Sequence, residues 1–176
     1  GKVHVMDVDT HRNRVGAISH FAFLIEEPGF YPHLSGEQHL ELVARDRGIS
    51  EIPQEAMNFI DFSHDQLKKK VYGYSMGMKQ RLALALCWTM QPKLMILDEP
   101  YNGLDPQGIR LLRKSILEEC KKGTSFLISM HMLGELSAIS DEIIFLGDGE
   151  VLWQGMEDHP LQLEEKYHEY FGEVKL

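Results

Sequence analysis

The sequence predicts an α/β fold, a mostly parallel sheet core with a small helical block beside it. Three observations carry this. Leu94-Met95-Ile96-Leu97 is an apolar run with no polar break, the pattern of a parallel strand buried on both faces. Phe126-Leu127-Ile128-Ser129 is a second such strand, and the single helical pattern between the two makes them a right-handed βαβ unit. Residues 33–70, lying before this unit, carry helical spacing and cap signals.

The elements follow in chain order. Residues 1–25 read as strand material: Val3, Val5 and Val8 around the turn-forming Asp7 and Asp9, then Val15-Gly16-Ala17-Ile18, then Phe21-Ala22-Phe23-Leu24-Ile25. Glu26-Glu27-Pro28-Gly29-Phe30-Tyr31-Pro32 is a loop, punctuated by two prolines and a glycine. Ser35 with Gln38 three residues on is a capping-box pattern, Leu40, Val43 and Ala44 give the apolar stripe, and Gly48 stops the helix. A second short helix starts near Pro53 with Ala56, Met57 and Ile60 inward, and Lys68-Lys69-Lys70 reads as a solvated helix end. Ser75 is an N-cap, and Leu82, Ala85 and Leu86 continue a helix until Pro92. Asp105-Pro106 starts the next helix, with Ile109, Leu112, Ile116 and Cys120 as its stripe and Gly123 as its end. After the strand 126–129 come a short helix over 133–138, a hairpin turning at Gly147-Asp148-Gly149, and a terminal helix over 161–170.

Composition narrows the function. With 176 residues, 43% hydrophobic and 26% charged, one ordinary globular domain is the default. A net charge of -9 argues against nucleic-acid binding through a broad basic surface. Cys87 and Cys120 sit in apolar helical patterns and read as core residues of a reducing compartment. No apolar run approaches the ~20 residues of a membrane-spanning helix. The chain starts at Gly1, so a piece of a longer protein is the expectation.

Asp98 and Glu99 stand together where the first buried strand stops, and Pro100 ends it. In open α/β sheets ligands bind beyond the carboxyl ends of strands, which is where this pair lies. An aspartate there is suited to hold Mg²⁺ through water, and the adjacent glutamate to orient or deprotonate a water. His131, just past the carboxyl end of the next strand, can hydrogen-bond a terminal phosphate. Ser75-Met76-Gly77 at a helix start offers N–H groups and a positive dipole end to an anion. Each feature has a plainer alternative: a buried strand with a charged turn, a satisfied structural histidine, a capped core helix.

Together the motifs resemble the nucleotide-binding subunit of an ABC transporter. Leu94–Pro100 resembles Walker B with its catalytic glutamate, Gly103-Leu104-Asp105 the D-loop, and His131 the switch histidine. Ser75-Met76-Gly77-Met78-Lys79-Gln80-Arg81 resembles the signature motif in the form typical of bacitracin-resistance and lantibiotic-immunity exporters, and Glu26–Pro32 resembles their Q-loop. The resemblance implies an ABC-type P-loop NTPase fold, with a single domain of three parts: remaining N-terminal strands over 1–25, Q-loop and helical subdomain with signature over 26–90, and Walker B core, switch and hairpin over 91–176. It implies an ATPase using ATP and Mg²⁺. Glu99 and His131 would be catalytic; Ser75, Met76, Gly77, Gln80 and Asp105 would bind nucleotide; Asp98 and Glu26 would hold the metal. Its partners would be a second nucleotide-binding subunit, as homodimer or heterodimer, and an integral membrane permease, with no nucleic acid. Its place would be cytoplasmic, at the inner face of a bacterial plasma membrane.

The departures are specific. Met76 and Met78 stand where the commonest signature has Gly and Gln, and Glu26 where most members have Gln. Leu34-Ser35-Gly36-Glu37-Gln38 nearly spells the signature but lies far upstream of Walker B, and reads as the helix cap instead. No G-x-x-x-x-G-K-[ST] phosphate loop is present. A fragment of an ABC ATPase is therefore the expectation; the alternative is a nucleotide-independent pseudo-ATPase or regulatory module.

Overall fold

A computed structural model describes residues 1–25, 28–156 and 159–172. They divide into two compact units, Gly1–Ser129 and Met130–Leu176.

The first unit opens with a minimal hairpin, β1 (His4–Val5) against β2 (Val8–Asp9). Met6 and Asp7 between them both have positive φ, the backbone of a type I′ turn. Residues 14–18 then correct an expectation. Val15-Gly16-Ala17-Ile18 is not a strand but part of a short helix, α1 (Arg14–Ile18). The reason is local: the Asn13 side chain accepts from the Gly16 N–H and caps the turn, overriding the β preference of Val15 and Ile18. β3 (Phe21–Leu24) follows as expected.

The helical block comprises α2 (Gly36–Asp46), α3 (Gln54–Ile60) and α4 (His64–Lys68), followed by a 3₁₀ turn over Val71–Gly73. Ser35 and Gln38 make both reciprocal bonds of a capping box, so the signature-like upstream string is a helix start. Ser63 and Gln66 repeat the device at α4. Leu40, Ala44, Ala56, Phe59 and Ile60 are buried, and Lys68, Lys69 and Lys70 are exposed at the end of α4. α5 (Met76–Thr89) packs on α2, α3 and β3, and is apolar on nearly every side. Trp88 stacks on Phe59 at 5.1 Å, which locks α5 to α3.

β4 (Leu94–Asp98), α6 (Pro106–Lys121) and β5 (Ser125–Ser129) form the βαβ unit. The sheet runs β3-β4-β5, all parallel. Its register puts Ala22, Leu24, Met95 and Leu97 on one face, buried. Phe23, Ile96 and Leu127 line up across the other face, where Phe23 is 60% and Leu127 59% exposed. This corrects the reading of the strand at 94–97 as buried on both faces: among the described residues, one face is covered and the other remains apolar and open. Cys87 is buried as expected, but Cys120 is exposed near the end of α6, where the last turn has left the core.

The second unit contains α7 (Leu133–Ile139), β6 (Ile143–Gly147), β7 (Glu150–Gly155) and α8 (Pro160–Phe171). The hairpin turns through Asp148 and Gly149, both at positive φ, as the turn chemistry predicts. Ile143, Phe145 and Leu163 form its core, flanked by Leu133, Leu136, Trp153 and Tyr167.

Candidate functional site

β4 brings Asp98 to the carboxyl edge of the sheet, in register with Ser129 at the end of β5. The Ser129 hydroxyl donates to the Asp98 carboxylate. The Glu99 N–H reaches back to the same residue, to the Ser129 carbonyl at 3.1 Å and its Oγ at 3.2 Å. Glu99 sits at φ 45°, a left-handed conformation that a residue with a Cβ adopts at a cost of about 1–2 kcal/mol. Strain of this kind persists only where surrounding bonds over-determine the backbone, and it clusters at functional sites. Ser129 is thus the residue that organises the acidic pair. A polar residue closing an apolar strand was visible in the sequence, but its pairing across the sheet was not.

The second part of the site is the start of α5. Ser75 is the N-cap, with extended backbone and its Oγ accepting from the Met78 N–H at 3.3 Å. Beside it lies a groove of about 410 Å³ lined by Ser75, Gly77, Met78, Arg81 and Asp105, among others. Gly77 is required by close approach: a Cβ there would lie 2.7 Å from the Gly103 carbonyl oxygen. Gly103 has φ 75°, and the Met76 side chain lies over it. Met76, 69% exposed, covers the loop between β4 and α6.

Arg81 lies on the same helix, its side chain only 13% exposed, between two carboxylates. Its guanidinium bonds Asp105 at 2.7 Å and approaches Asp61 at 3.8 Å. Asp105 caps α6 by accepting from the Gly108 N–H at 2.9 Å. The Arg81 bond, then the Gly108 N–H, hold the Asp105 carboxyl below its ordinary range. Asp61, left-handed at the end of α3, carried no signal in the sequence that tied it to this cluster.

Of the residues expected at the site, Ser75, Gly77 and Asp105 line one groove, and Asp98 and Glu99 share the sheet edge. Met76 is exposed above Gly103, at the groove's rim side. Gln80 is placed differently from the expectation of a nucleotide contact. It is 5% exposed, and its amide donates to the Pro100 carbonyl at 3.0 Å. The bond to Pro100 turns its side chain to the start of the β4–α6 loop, and Gln80 is not among the residues that line the groove. His131 belongs to the second unit, exposed and just ahead of α7. Glu26 lies outside the described residues. Among the described residues no helix is long and apolar enough to cross a membrane. Also among them, no group of three or more His, Cys, Asp or Glu side chains is arranged to hold a metal ion.

Comparison with known proteins agrees with this geometry. The family model described as ABC transporter matches residues 1–102. The chain is 32% identical over 173 residues to the bacitracin transport ATP-binding protein of Bacillus licheniformis, covering 97% of this chain and 56% of that protein. It is 37% identical over 148 residues to the lantibiotic transport ATP-binding protein of Streptococcus pyogenes, covering 82% of this chain and 63% of that protein. The chain thus spans about half the length of the curated relatives it matches. Among solved structures, the ATP-binding subunit of an ABC transporter superposes with a TM-score of 0.78 at 27% identity, over 94% of this chain and 69% of that one. A dimeric ATP-binding cassette in a post-hydrolysis state, bound to ADP and Pi, shares the fold with a TM-score of 0.72 at 21% identity, over 89% of this chain and 73% of that one. Because that family model matches residues 1–102, more than half of the chain, and the named relatives are ATP-binding proteins of such transporters, the chain belongs to the ABC transporter family, among its ATP-binding subunits.

Proposed function

We propose that the whole protein binds and hydrolyses ATP to drive export of a peptide antibiotic or similar amphiphile through a separate permease. The observation that carries the ATPase reading is the Asp98–Glu99 pair, held at the sheet edge by Ser129 with Glu99 in a strained backbone state. The relatives named for bacitracin and lantibiotic transport support the class of cargo.

The residues present fit Mg²⁺ and nucleotide in part. Mg²⁺ is usually bound by one or two carboxylates plus water and substrate phosphate, and one exposed carboxylate oriented by a hydroxyl, Asp98, matches that requirement. ATP would supply the transferred phosphoryl group, and Mg²⁺ held by Asp98 would supply neutralisation of its charge. Glu99 would orient and deprotonate the attacking water; for His131, in the second unit, the resemblance to the family's switch histidine supports a role as hydrogen-bond partner of a terminal phosphate. Glu26 is a second candidate metal ligand. Ser75, Gly77 and the open N–H groups of α5 offer an anion-binding edge. In the family's arrangement this edge faces nucleotide held by a second subunit, so a homodimer or heterodimer is the working assembly. It sits with its permease at the cytoplasmic face of the membrane. The P-loop lysine and hydroxyl that cradle the phosphates in such enzymes are not in these residues, so the isolated chain binds ATP weakly and does not turn it over. The alternative is a nucleotide-independent regulatory module.

The test is Glu99→Gln in the whole protein. The amide keeps the shape and removes the base. ATP binding is retained and steady-state phosphate release falls by about 10²-fold or more. Near-normal turnover by this variant removes Glu99 from the role of base, and a wild type that binds no Mg·ATP leaves the regulatory reading.

A further inference from the structure

We infer that Gln80 is a positioning residue for Glu99, tying the start of α5 to the backbone that carries the acidic pair. This rests on the ATPase reading above and goes beyond it. Gln80 is almost fully buried, and its amide bonds the Pro100 carbonyl, the residue directly after Glu99. Upstream, Glu99 is held through its own N–H by Ser129. The strained residue is therefore pinned on both sides, by β5 before it and by α5 after it.

The same loop is clamped to α5 at two further points. The Gly103 carbonyl rests against Gly77, and Asp105 is bonded by Arg81. Between the clamps the loop is closed by its own bonds, Asn102 N–H to the Glu99 carbonyl and Leu104 N–H to the Tyr101 carbonyl, each 3.1 Å. A backbone fastened at Pro100, Gly103 and Asp105 moves with the first two turns of α5. Gly77 lies on the first of those turns, Ser75 caps it, and both line the groove. A ligand that shifts them shifts Glu99 through Gln80, so occupancy of the α5 edge sets the alignment of the base at the sheet edge. The bond is buried, so no water replaces it when it is lost. Gln80 thus acts through Glu99, without contact to nucleotide.

The test uses the whole protein with Gln80→Leu, which keeps the volume and removes the donor, and Gln80→Glu, which keeps the shape and makes the donor depend on pH. Displacing a catalytic group by part of an ångström costs about tenfold or more in rate, so Gln80→Leu lowers kcat by at least about tenfold with the KM for ATP within about twofold. In the nucleotide-free protein, the amides of Glu99, Asn102 and Leu104 exchange about tenfold faster in this variant, while those in the middle of α5 do not change. Gln80→Glu is impaired at pH 8, where the carboxylate faces a carbonyl oxygen. It recovers toward wild type at pH 6, because a buried carboxyl protonates there and donates to Pro100. If Gln80→Leu does not fold, the pH dependence of Gln80→Glu relative to wild type decides alone. An unchanged kcat, a raised KM at unchanged kcat, or a Gln80→Glu profile parallel to wild type overturns the link. Where wild type turns over ATP and these variants match it, only this inference falls; where wild type binds no ATP, the ATPase reading falls and this inference with it.

Discussion

Gly77 and Gly134 form a matched pair that tests the packing of the candidate site by sign alone. Each is the second residue of its helix, Gly77 in α5 and Gly134 in α7. Replacing a helical glycine by alanine gains about 0.5–1 kcal/mol by reducing the entropy of the unfolded chain. At Gly134 a Cβ meets nothing within 4 Å, so that gain is realised in full. At Gly77 the Cβ would lie 2.7 Å from the Gly103 carbonyl oxygen. Both sides of that contact are backbone, so no rotamer relieves it, and the two segments must part by roughly half an ångström. Overpacking of this order costs about 1–3 kcal/mol and outweighs the propensity gain. Gly77→Ala therefore destabilises by a net ~1–2 kcal/mol and Gly134→Ala stabilises by ~0.5–1 kcal/mol. At about 2–4 °C per kcal/mol, the first lowers the melting midpoint by roughly 2–8 °C and the second raises it by a few degrees. Urea and thermal unfolding of each variant against wild type, followed by helical circular dichroism, measure both. If Gly77→Ala stabilises as Gly134→Ala does, the start of α5 stands in open space and the clamp on the β4–α6 loop does not exist.

Two further predictions concern Asp105 and Ser129. Asp105 has its carboxyl lowered from 3.8 by the Arg81 bond first and the Gly108 N–H next. A carboxyl depressed on folding adds stability above its unfolded pKa and loses it as pH falls through the lower folded value. Asp105→Asn therefore flattens the fall of urea stability below pH 3.8 relative to wild type, while an unchanged acid limb removes the Arg81 pairing from the folded state. Ser129→Ala leaves the Glu99 N–H on the Ser129 backbone carbonyl but strips the donor from Asp98. Because Asp98 is exposed, stability changes by less than about 1 kcal/mol. On the proposed ATPase reading, with Asp98 as metal ligand, the Mg²⁺ concentration needed for half-maximal turnover of the whole protein rises about tenfold, and an unchanged Mg²⁺ titration separates Ser129 from metal binding.

Elements whose causes are local could be read from residue order. Ser35 with Gln38, Asp105 with Pro106, and Gly147-Asp148-Gly149 act within four residues, and each forms the cap or turn its chemistry requires. The βαβ order followed from two apolar runs separated by one helix, because crossover handedness leaves a single arrangement. The acidic pair was legible because a strand end is a position along the chain. Where local signals competed, as at Val15–Ile18, side-chain β preference misled and the Asn13 cap decided for helix.

Which side chains meet depends on the packing of distant segments. Gln80 and Pro100 are 20 residues apart, Arg81 and Asp105 are 24, and Asp98 and Ser129 are 31. No periodicity links positions at such separations, because they are joined by how α5 lies along the sheet and how β5 registers on β4. The apolar run at 94–97 shows the same division. Its composition suits two covered faces, but only the packing of helices on the sheet determines which face is filled, and here Met95 and Leu97 are inside while Ile96 shares the open face with Phe23 and Leu127. Residue types are written in the chain; the direction each points, and the partner it finds, are set by the three-dimensional path of the backbone.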